Sequence, residues 1–320
     1  MRVSIVIPNH NRADALPFTL EALCKQTYPS EKFEVVVVDQ VSTDGSRELA
    51  RMYQAPYRLR LVEQDAKYGV SVGRNGGVTA ASGELVILLD SDIIADPNLV
   101  QAHAELHRKA SGPILGCGRL LTYPPAYTTF IEQVSNPDAG LDRGTECEDF
   151  PFWHAFGGHL SFSIQIYNRI GPFKPELRGA EDIEFAYRAA QSGAGIKNCS
   201  QAIGYHNHGR SLVEHKQRAF EYWSIVPTFL AMHPELRGKI PGIAELEPVQ
   251  WGRDSIPLIR AKALAEFWSC KMVRSGLFKY LNWAEKQRAI PRLTKFCYYR
   301  LMLGEMRAGA RQGRLGQRIA

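Results

Sequence analysis

Five consecutive bulky apolar residues, Leu85-Val86-Ile87-Leu88-Leu89, run straight into Asp90-Ser91-Asp92. A run with no polar residue to face water reads as a strand buried on both faces, and such strands belong to parallel sheets covered by helices. In extended backbone, residues i and i+2 point the same way, which brings Asp90 and Asp92 together at the strand's carboxyl end. That edge of an open α/β sheet is where ligands bind. Paired carboxylates there suit a hard divalent cation, which in turn suits a phosphorylated ligand. About one Asp-x-Asp triplet is expected by chance in a chain of this length, so the surrounding pattern has to carry the reading.

That pattern alternates strand and helix. Val3 to Ile7 is an apolar run closed by Pro8; Asp14 can then cap a helix whose Leu16, Leu20 and Leu23 recur at helical spacing. Val35 to Val38 is a second β-branched run, followed by the turn-rich Ser42-Thr43-Asp44-Gly45-Ser46 and a helix through about Tyr53. Leu59 to Val62 is a short third strand, and a helix over Val70 to Ala81 closes at Gly83 before the apolar run. Alternation of this kind predicts an α/β, Rossmann-like, doubly wound and mostly parallel sheet. Between about 110 and 180 the pattern loosens among Pro, Gly and aromatic residues. From about 215 the chain turns helical, most clearly over Leu258 to Tyr280.

Composition narrows the class. With 320 residues and 45% hydrophobic content, the chain can bury one large core or two modest ones. It opens strand-like, without a charged segment and long apolar stretch, so no secretory signal is expected. No window reaches the ~20 apolar residues of a spanning helix, which predicts a cytoplasmic protein with peripheral membrane contact left open. Six scattered cysteines without a Cys-x-x-Cys pair argue against a zinc site or disulfide framework. The net charge of +6 is concentrated at the C-terminus, where Arg300, Arg307, Arg311, Arg314 and Arg318 face the single acid Glu305. Such a tail can attract anionic lipid or an acidic partner, or simply be a solvated helix end. No dense basic-aromatic motif suggests nucleic acid.

After the first strand comes Pro8-Asn9-His10-Asn11-Arg12, where a dinucleotide-binding dehydrogenase would carry Gly-x-Gly-x-x-Gly. Val3 to Arg12, Gln26-Thr27-Tyr28-Pro29, Val36-Val37-Val38-Asp39 with Ser42 to Ser46, Gly69 to Gly77, Leu88 to Asp92, and Gly179-Ala180-Glu181-Asp182-Ile183-Glu184 follow one another in a recognisable order. Over residues 3 to 212 this ordered set resembles the family 2 glycosyltransferases. The resemblance implies a GT-A fold, a nucleotide-diphospho-sugar donor, most often a UDP-sugar, a Mn²⁺ or Mg²⁺ cofactor and inversion at the anomeric carbon. Together with the pattern along the chain, which changes to helical after about residue 214, it gives a GT-A domain over 1–214, with a nucleotide-sugar half (1–100) and an acceptor half (101–214), and a helical extension over 215–320.

Carried over residue by residue, the resemblance makes Asp39 the carboxylate that binds the base, with Pro8 and Asn9 lining the same pocket and Arg12 nearby. Gln40 and Val41 depart from the Asp-Gly frequent at that place. Arg74 is implied to meet phosphate oxygens, which a guanidinium suits through bidentate bonds. Asp92 is the implied direct metal ligand; Asp90 and Ser91 hold the ribose or a metal-bound water, with Asp90 also counted among the metal ligands. His206 falls where a third ligand is placed, and His208 is the alternative; imidazole is a competent ligand for such ions. Asp182 matches the catalytic base, with Glu181 beside it; a capping carboxylate pair at a helix start is the plainer role. Trp153 and His159, in the aromatic stretch from Tyr123 through Tyr127, Phe130, Phe150, Phe152 and Phe156, are the candidate acceptor contacts, and Gly157-Gly158 would let a ligand approach backbone. The acceptor itself, whether glycan, lipid-linked, peptide or small molecule, is not specified. Two other readings compete: a non-catalytic nucleotide-sugar-binding or scaffold protein of the same fold, and a nucleotidyltransferase, which would need a Gly-rich phosphate loop that Pro8 to Arg12 cannot supply.

Overall fold

A computed structural model describes residues 1–122, 150–207, 211–237, 239–240, 243–287 and 291–319. Tyr123, Tyr127, Phe130 and His208 lie outside the described residues. The described residues form two units, one up to 207 and one from 211 onward.

The first unit is built on an eight-stranded sheet. Its strands are β1 (Val3–Asn9), β2 (Phe33–Gln40), β3 (Arg58–Gln64), β4 (Leu85–Leu89), β5 (Ile93–Ala95), β6 (Ile114–Thr122), β7 (His159–Ser163) and β8 (Gly195–His206), in the spatial order β3-β2-β1-β4-β7-β6-β8-β5. The strands β3, β2, β1 and β4 are mutually parallel. β7 joins β4 antiparallel, and β5 closes the edge antiparallel to β8. The sheet is therefore mixed α/β, with its parallel half at the N-terminus.

Burial explains why the N-terminal strands form as read. Every residue of β4 is at most 1% exposed, and Val35 to Val38 of β2 are fully buried. Each such side chain contributes about 1.5–3 kcal/mol relative to an exposed one. Helices α1 (Leu16–Cys24), α2 (Ser46–Met52), α3 (Val70–Ala80) and α4 (Leu99–Lys109) follow strands β1, β2, β3 and β5. Asp14 does not cap α1: its N-cap is Ala15, without a side-chain cap bond, and Pro17 in the first turn supplies a preset φ instead. At Gly83 a β-carbon would stand 2.7 Å from the Ser4 backbone nitrogen, so the chain can enter β4 beside β1 only with glycine there.

Chain order reverses between β1 and its neighbours β2 and β4. The crevice beyond their carboxyl ends is the topological switch point at which open α/β sheets bind ligands. The loops after β1, β2 and β4 all empty into it.

The second unit is helical, with long helices Leu212–Met232, Ile256–Ser269, Lys271–Gln287 and Pro291–Ile319. Ser211 and Glu214 form a reciprocal capping box that starts the first. The stretch expected to run unbroken from Leu258 to Tyr280 is split at Cys270, which leaves helical geometry (φ −57°, ψ 130°). No helix among the described residues is long and apolar enough to cross a membrane.

Candidate active site

Two loops frame one side of the crevice and are stitched together. Asn9 donates from Nδ2 to Asp39 Oδ2 at 3.0 Å and to Ser46 Oγ at 3.1 Å. The Asn11 backbone N–H donates to Ser42 Oγ at 2.9 Å, and Thr43 N–H returns a bond to Asn11 Oδ1 at 2.8 Å. Asn11 (φ 50°) and Val41 (φ 51°) both take the left-handed conformation. Asparagine tolerates it; for a β-branched residue it is strained. The Gly frequent at position 41 in the resembled family thus has a physical reason, and Val41 keeps the turn at a cost.

Asp39, expected to meet the base, is fully buried among protein donors. Arg47 Nε donates to Oδ1 at 2.7 Å, the Ser42 N–H to the same oxygen at 3.1 Å, and Asn9 to Oδ2. Burial alone would raise this carboxyl, but the bonds from Ser42, Arg47 and Asn9 outweigh it and hold it below the usual carboxylate value. Arg47 carried no sequence signal, being one of many arginines on a predicted helix. Pro8 is half-buried at the end of β1, with Gly73 of α3 close against it.

The Asp-Ser-Asp segment does not converge through strand pleating. β4 ends at Leu89, and Asp90-Ser91-Asp92 form a turn in which the Ile93 N–H donates to Asp90 O at 3.2 Å. The carboxylates therefore meet different partners. Asp90 lies 3.5 Å from Arg74 Nη2. Asp92 Oδ2 is 3.8 Å from Arg12 Nη2, and Asp92 Oδ1 is 3.8 Å from His206 Nδ1. His206 reaches Asp92 because β5 and β8 pair in the register Ile93 with His206, and the Asn207 N–H donates to Asp92 O at 2.9 Å. Ser91 is buried, and its carbonyl accepts from Thr19 Oγ1 at 2.9 Å.

Arg74 is buried on α3, and its Nη1 donates to Glu181 at 2.7 Å. Glu181 is 3% exposed and also accepts from the Gly179 N–H at 2.6 Å. Arg74 therefore joins the Asp-Ser-Asp turn to the Glu181-Asp182 helix start, rather than standing as a free phosphate clamp. Glu181 is likewise committed to an ion pair. A buried pair of this kind is a poor source of net stability, yet removing one partner costs about 3–5 kcal/mol.

Asp182 opens the helix Glu181–Gln191. Its Oδ2 accepts from the Gly157 N–H and its Oδ1 from the Ile183 N–H, each at 2.8 Å. Burial, reinforced by the adjacent Glu181 charge, pushes its carboxyl up to about 6, against the opposing pull of Arg74 and the two N–H donors. A carboxylate so poised is charged near neutral pH but keeps appreciable basicity.

Neighbouring side chains press against the glycines at 157 and 158. A β-carbon at Gly157 would stand 2.5 Å from Arg74 Cζ, and one at Gly158 would stand 2.6 Å from Asp90 Oδ2. Trp153 is half-buried in the single turn Phe152–His154, edge-on to Phe152 with centroids 5.1 Å apart. His159 is corrected: its side chain is 1% exposed within β7, and its Nε2 lies 2.9 Å from His103 Nε2. Ser161 links His103 Nδ1 and His107 Nε2, each at 2.8 Å. Burial, helped by neighbouring imidazoles, keeps His103 well below its ordinary value, and burial alone takes His107 to about 4. A buried ring in this polar seam cannot meet an acceptor directly.

Residues 4–125 match the family model described as Glycosyl transferase family 2. Validoxylamine A glucosyltransferase of Streptomyces hygroscopicus subsp. jinggangensis is 41% identical over 216 residues, covering 58% of this chain and 50% of its own length. The chain thus spans half the length of that relative. Among solved structures, the mannosyltransferase PcManGT of Pyrobaculum calidifontis, in complex with GDP-Man and Mn²⁺, superposes with TM-score 0.59 at 20% identity, covering 96% of this chain and 86% of its own. S. aureus TarS 1–349 in complex with UDP-GlcNAc gives TM-score 0.54 at 18% identity, covering 99% and 92%. With its sheet and these likenesses, the chain has the GT-A fold and, over residues 4–125, is similar to glycosyl transferase family 2.

Proposed function

We propose that this protein transfers a glycosyl group from a nucleotide-diphospho-sugar, with UDP as carrier, to an acceptor hydroxyl, in one displacement that inverts the anomeric centre. The observation that carries the reading is Asp182: a carboxylate locked by two backbone N–H donors, raised to about 6, and tied through Arg74 to the Asp-Ser-Asp turn. A base that must take a proton from a hydroxyl as its oxygen attacks needs alignment first and a pKa near working pH second. Asp182 meets both requirements. Glu181 acts through Arg74, holding that guanidinium in place and keeping Asp182 basic.

The donor half follows from the loops. Asn9, Asp39 and Arg47 fix the β1 and β2 loops that receive the base, while Arg12, partly exposed beside Asp92, offers charge-assisted bonds to diphosphate oxygens. Asp92 and His206 suit a hard cation of the Mn²⁺ or Mg²⁺ kind: a carboxylate and an imidazole 3.8 Å apart, with Asp90 on the same turn. No cluster of three or more ligating side chains occurs among the described residues. Such ions are commonly held by one or two protein groups, with phosphate oxygens and water completing the shell. Bound there, the cation would neutralise charge on the departing diphosphate.

The test compares the full chain with Asp182→Asn, using UDP-sugars, Mn²⁺ and an acceptor panel. Transfer should fall by about 10²–10⁴-fold, the usual contribution of a positioned base, with donor affinity unchanged. Turnover that survives the substitution would remove Asp182 from the reaction.

A further inference from the structure

The helical unit encloses a half-open cavity of about 340 Å³, lined by none of the residues proposed above to hold the donor, metal or acceptor. Its floor is apolar: Leu230, Ile243 and Leu246 are each at most 3% exposed. Trp223 forms one wall, and Arg237 and Arg314 stand on the lining with Glu247.

The charges around it do not balance. Arg307, Arg311 and Arg314 follow one another at helical spacing on Pro291–Ile319. Glu266 is taken by two of them, pairing with Arg307 Nε at 3.1 Å and with Arg311. Arg314 is left with the Leu246 carbonyl at 3.4 Å and the nearby charge of Glu247. The lining itself thus carries two guanidiniums, Arg237 and Arg314, and one carboxylate, Glu247. Burial and the neighbouring Arg307 and Arg311 push Arg314 below its ordinary value, against the opposing charges of Glu247 and Glu266. Arg237 is exposed, and its guanidinium has no side-chain partner among the described residues.

We propose that this cavity binds an amphiphile with a phosphate or carboxylate head and a compact apolar body. The head would complete the bonding of Arg314 and Arg237, and the body would cover Leu230, Ile243 and Leu246 against Trp223. Ligand sites are mostly apolar with a few placed polar groups, and this lining has that composition.

Isothermal titration of the full chain with dodecyl phosphate, kept below its micelle concentration, tests the proposal. One molar equivalent should bind. Arg314→Gln should weaken binding by about tenfold or more, as expected for loss of a charged hydrogen bond; the side chain makes only one long bond, so the fold should survive. Arg237→Gln, at an exposed side chain, repeats the test if the first variant unfolds. Dodecanol and inorganic phosphate should each bind at least about tenfold more weakly, since each lacks one half of the ligand. Equal affinity in both arginine variants, or dodecanol binding as well as the phosphate, would overturn the proposal. Phosphatidylcholine vesicles doped with phosphatidate separate a free amphiphile from a lipid surface. Capture of vesicles without binding of monomeric dodecyl phosphate would locate the contact outside the cavity and refute it.

Discussion

Replacing Gly157 with alanine probes the joint between the two acidic segments. The new β-carbon would stand 2.5 Å from Arg74 Cζ and 2.8 Å from Nη2. Arg74 cannot yield easily, because its side chain is 5% exposed and Nη1 is held by Glu181 at 2.7 Å. Displacing the guanidinium costs about 1–3 kcal/mol as overpacking, rising toward about 3–5 kcal/mol if Glu181 loses its partner. If the loop retreats instead, the Gly157 N–H leaves Asp182. Both the Arg74 charge and that N–H favour the ionised carboxylate, so either route raises Asp182 above about 6. A hydrogen bond to a charged group is worth about 1.5–3 kcal/mol, which moves the acid limb of kcat upward by about one to two pH units. The assay is kcat against pH at saturating donor, with thermal unfolding of the same samples. Gly112→Ala is the control, since nothing lies within 4 Å of a β-carbon there. Coincident unfolding temperatures and pH profiles for the two variants would refute the coupling of Arg74, Gly157 and Asp182.

Asp182 also makes a stability prediction. A carboxyl raised in the fold from 3.8 to about 6 favours the folded state below pH 3.8, and that advantage is lost as pH rises through about 6. Asp182→Asn should therefore gain on the native protein by about 2–3 kcal/mol between pH 4 and pH 7 in urea unfolding; a constant difference would contradict the raised pKa. Asp39 runs the other way, since its carboxyl is depressed. The loss caused by Arg47→Gln should be full at neutral pH and shrink as pH falls below 3.8, and a loss independent of pH would show that Arg47 does not stabilise the charged form. Val41→Gly should relieve about 1–2 kcal/mol of left-handed strain, partly offset by about 0.5–1 kcal/mol of glycine flexibility; a lower unfolding temperature would show Val41 to be unstrained. His206→Ala should raise the Mn²⁺ concentration for half-maximal activity by about 10-fold or more, in the range of lost metal-site groups, and an unchanged requirement would exclude His206 from the site.

What the sequence disclosed follows from periodicity. β1, β2 and β4 were legible because they are buried on both faces and written mostly in apolar letters. β8 was not: Gly195 to His206 mixes the polar Lys197, Asn198, Ser200 and Gln201 with apolar residues, and it lies toward the sheet's edge between β6 and β5. β6 hides behind Gly116 and Gly118, whose missing side chains leave room for Ser161 and the His159 ring. Pleating was the wrong device for Asp90 and Asp92, because the strand stops one residue too early and a turn sets their directions. The Arg74–Glu181 pair, 107 residues apart in sequence, could not be read from residue types. Sequence order named both residues but assigned Arg74 to the ligand, where the fold assigns it to Glu181. Likewise Asp39 was legible as a site residue, while its donors were not: Ser42 and Arg47 reach it from the following loop and helix, and Asn9 only because β1 pairs with β2.

Crystals of the full chain soaked with a UDP-sugar and Mn²⁺, and measured at the manganese absorption edge, test the chemistry most directly. The anomalous peak should fall within about 2.0–2.6 Å of the Asp92 carboxylate, as hard-cation bonds require, with His206 beside it and the Asp182 carboxyl on the side of the anomeric carbon away from the diphosphate. A donor seated with its diphosphate elsewhere, or with Asp182 on the leaving-group side, would contradict the account.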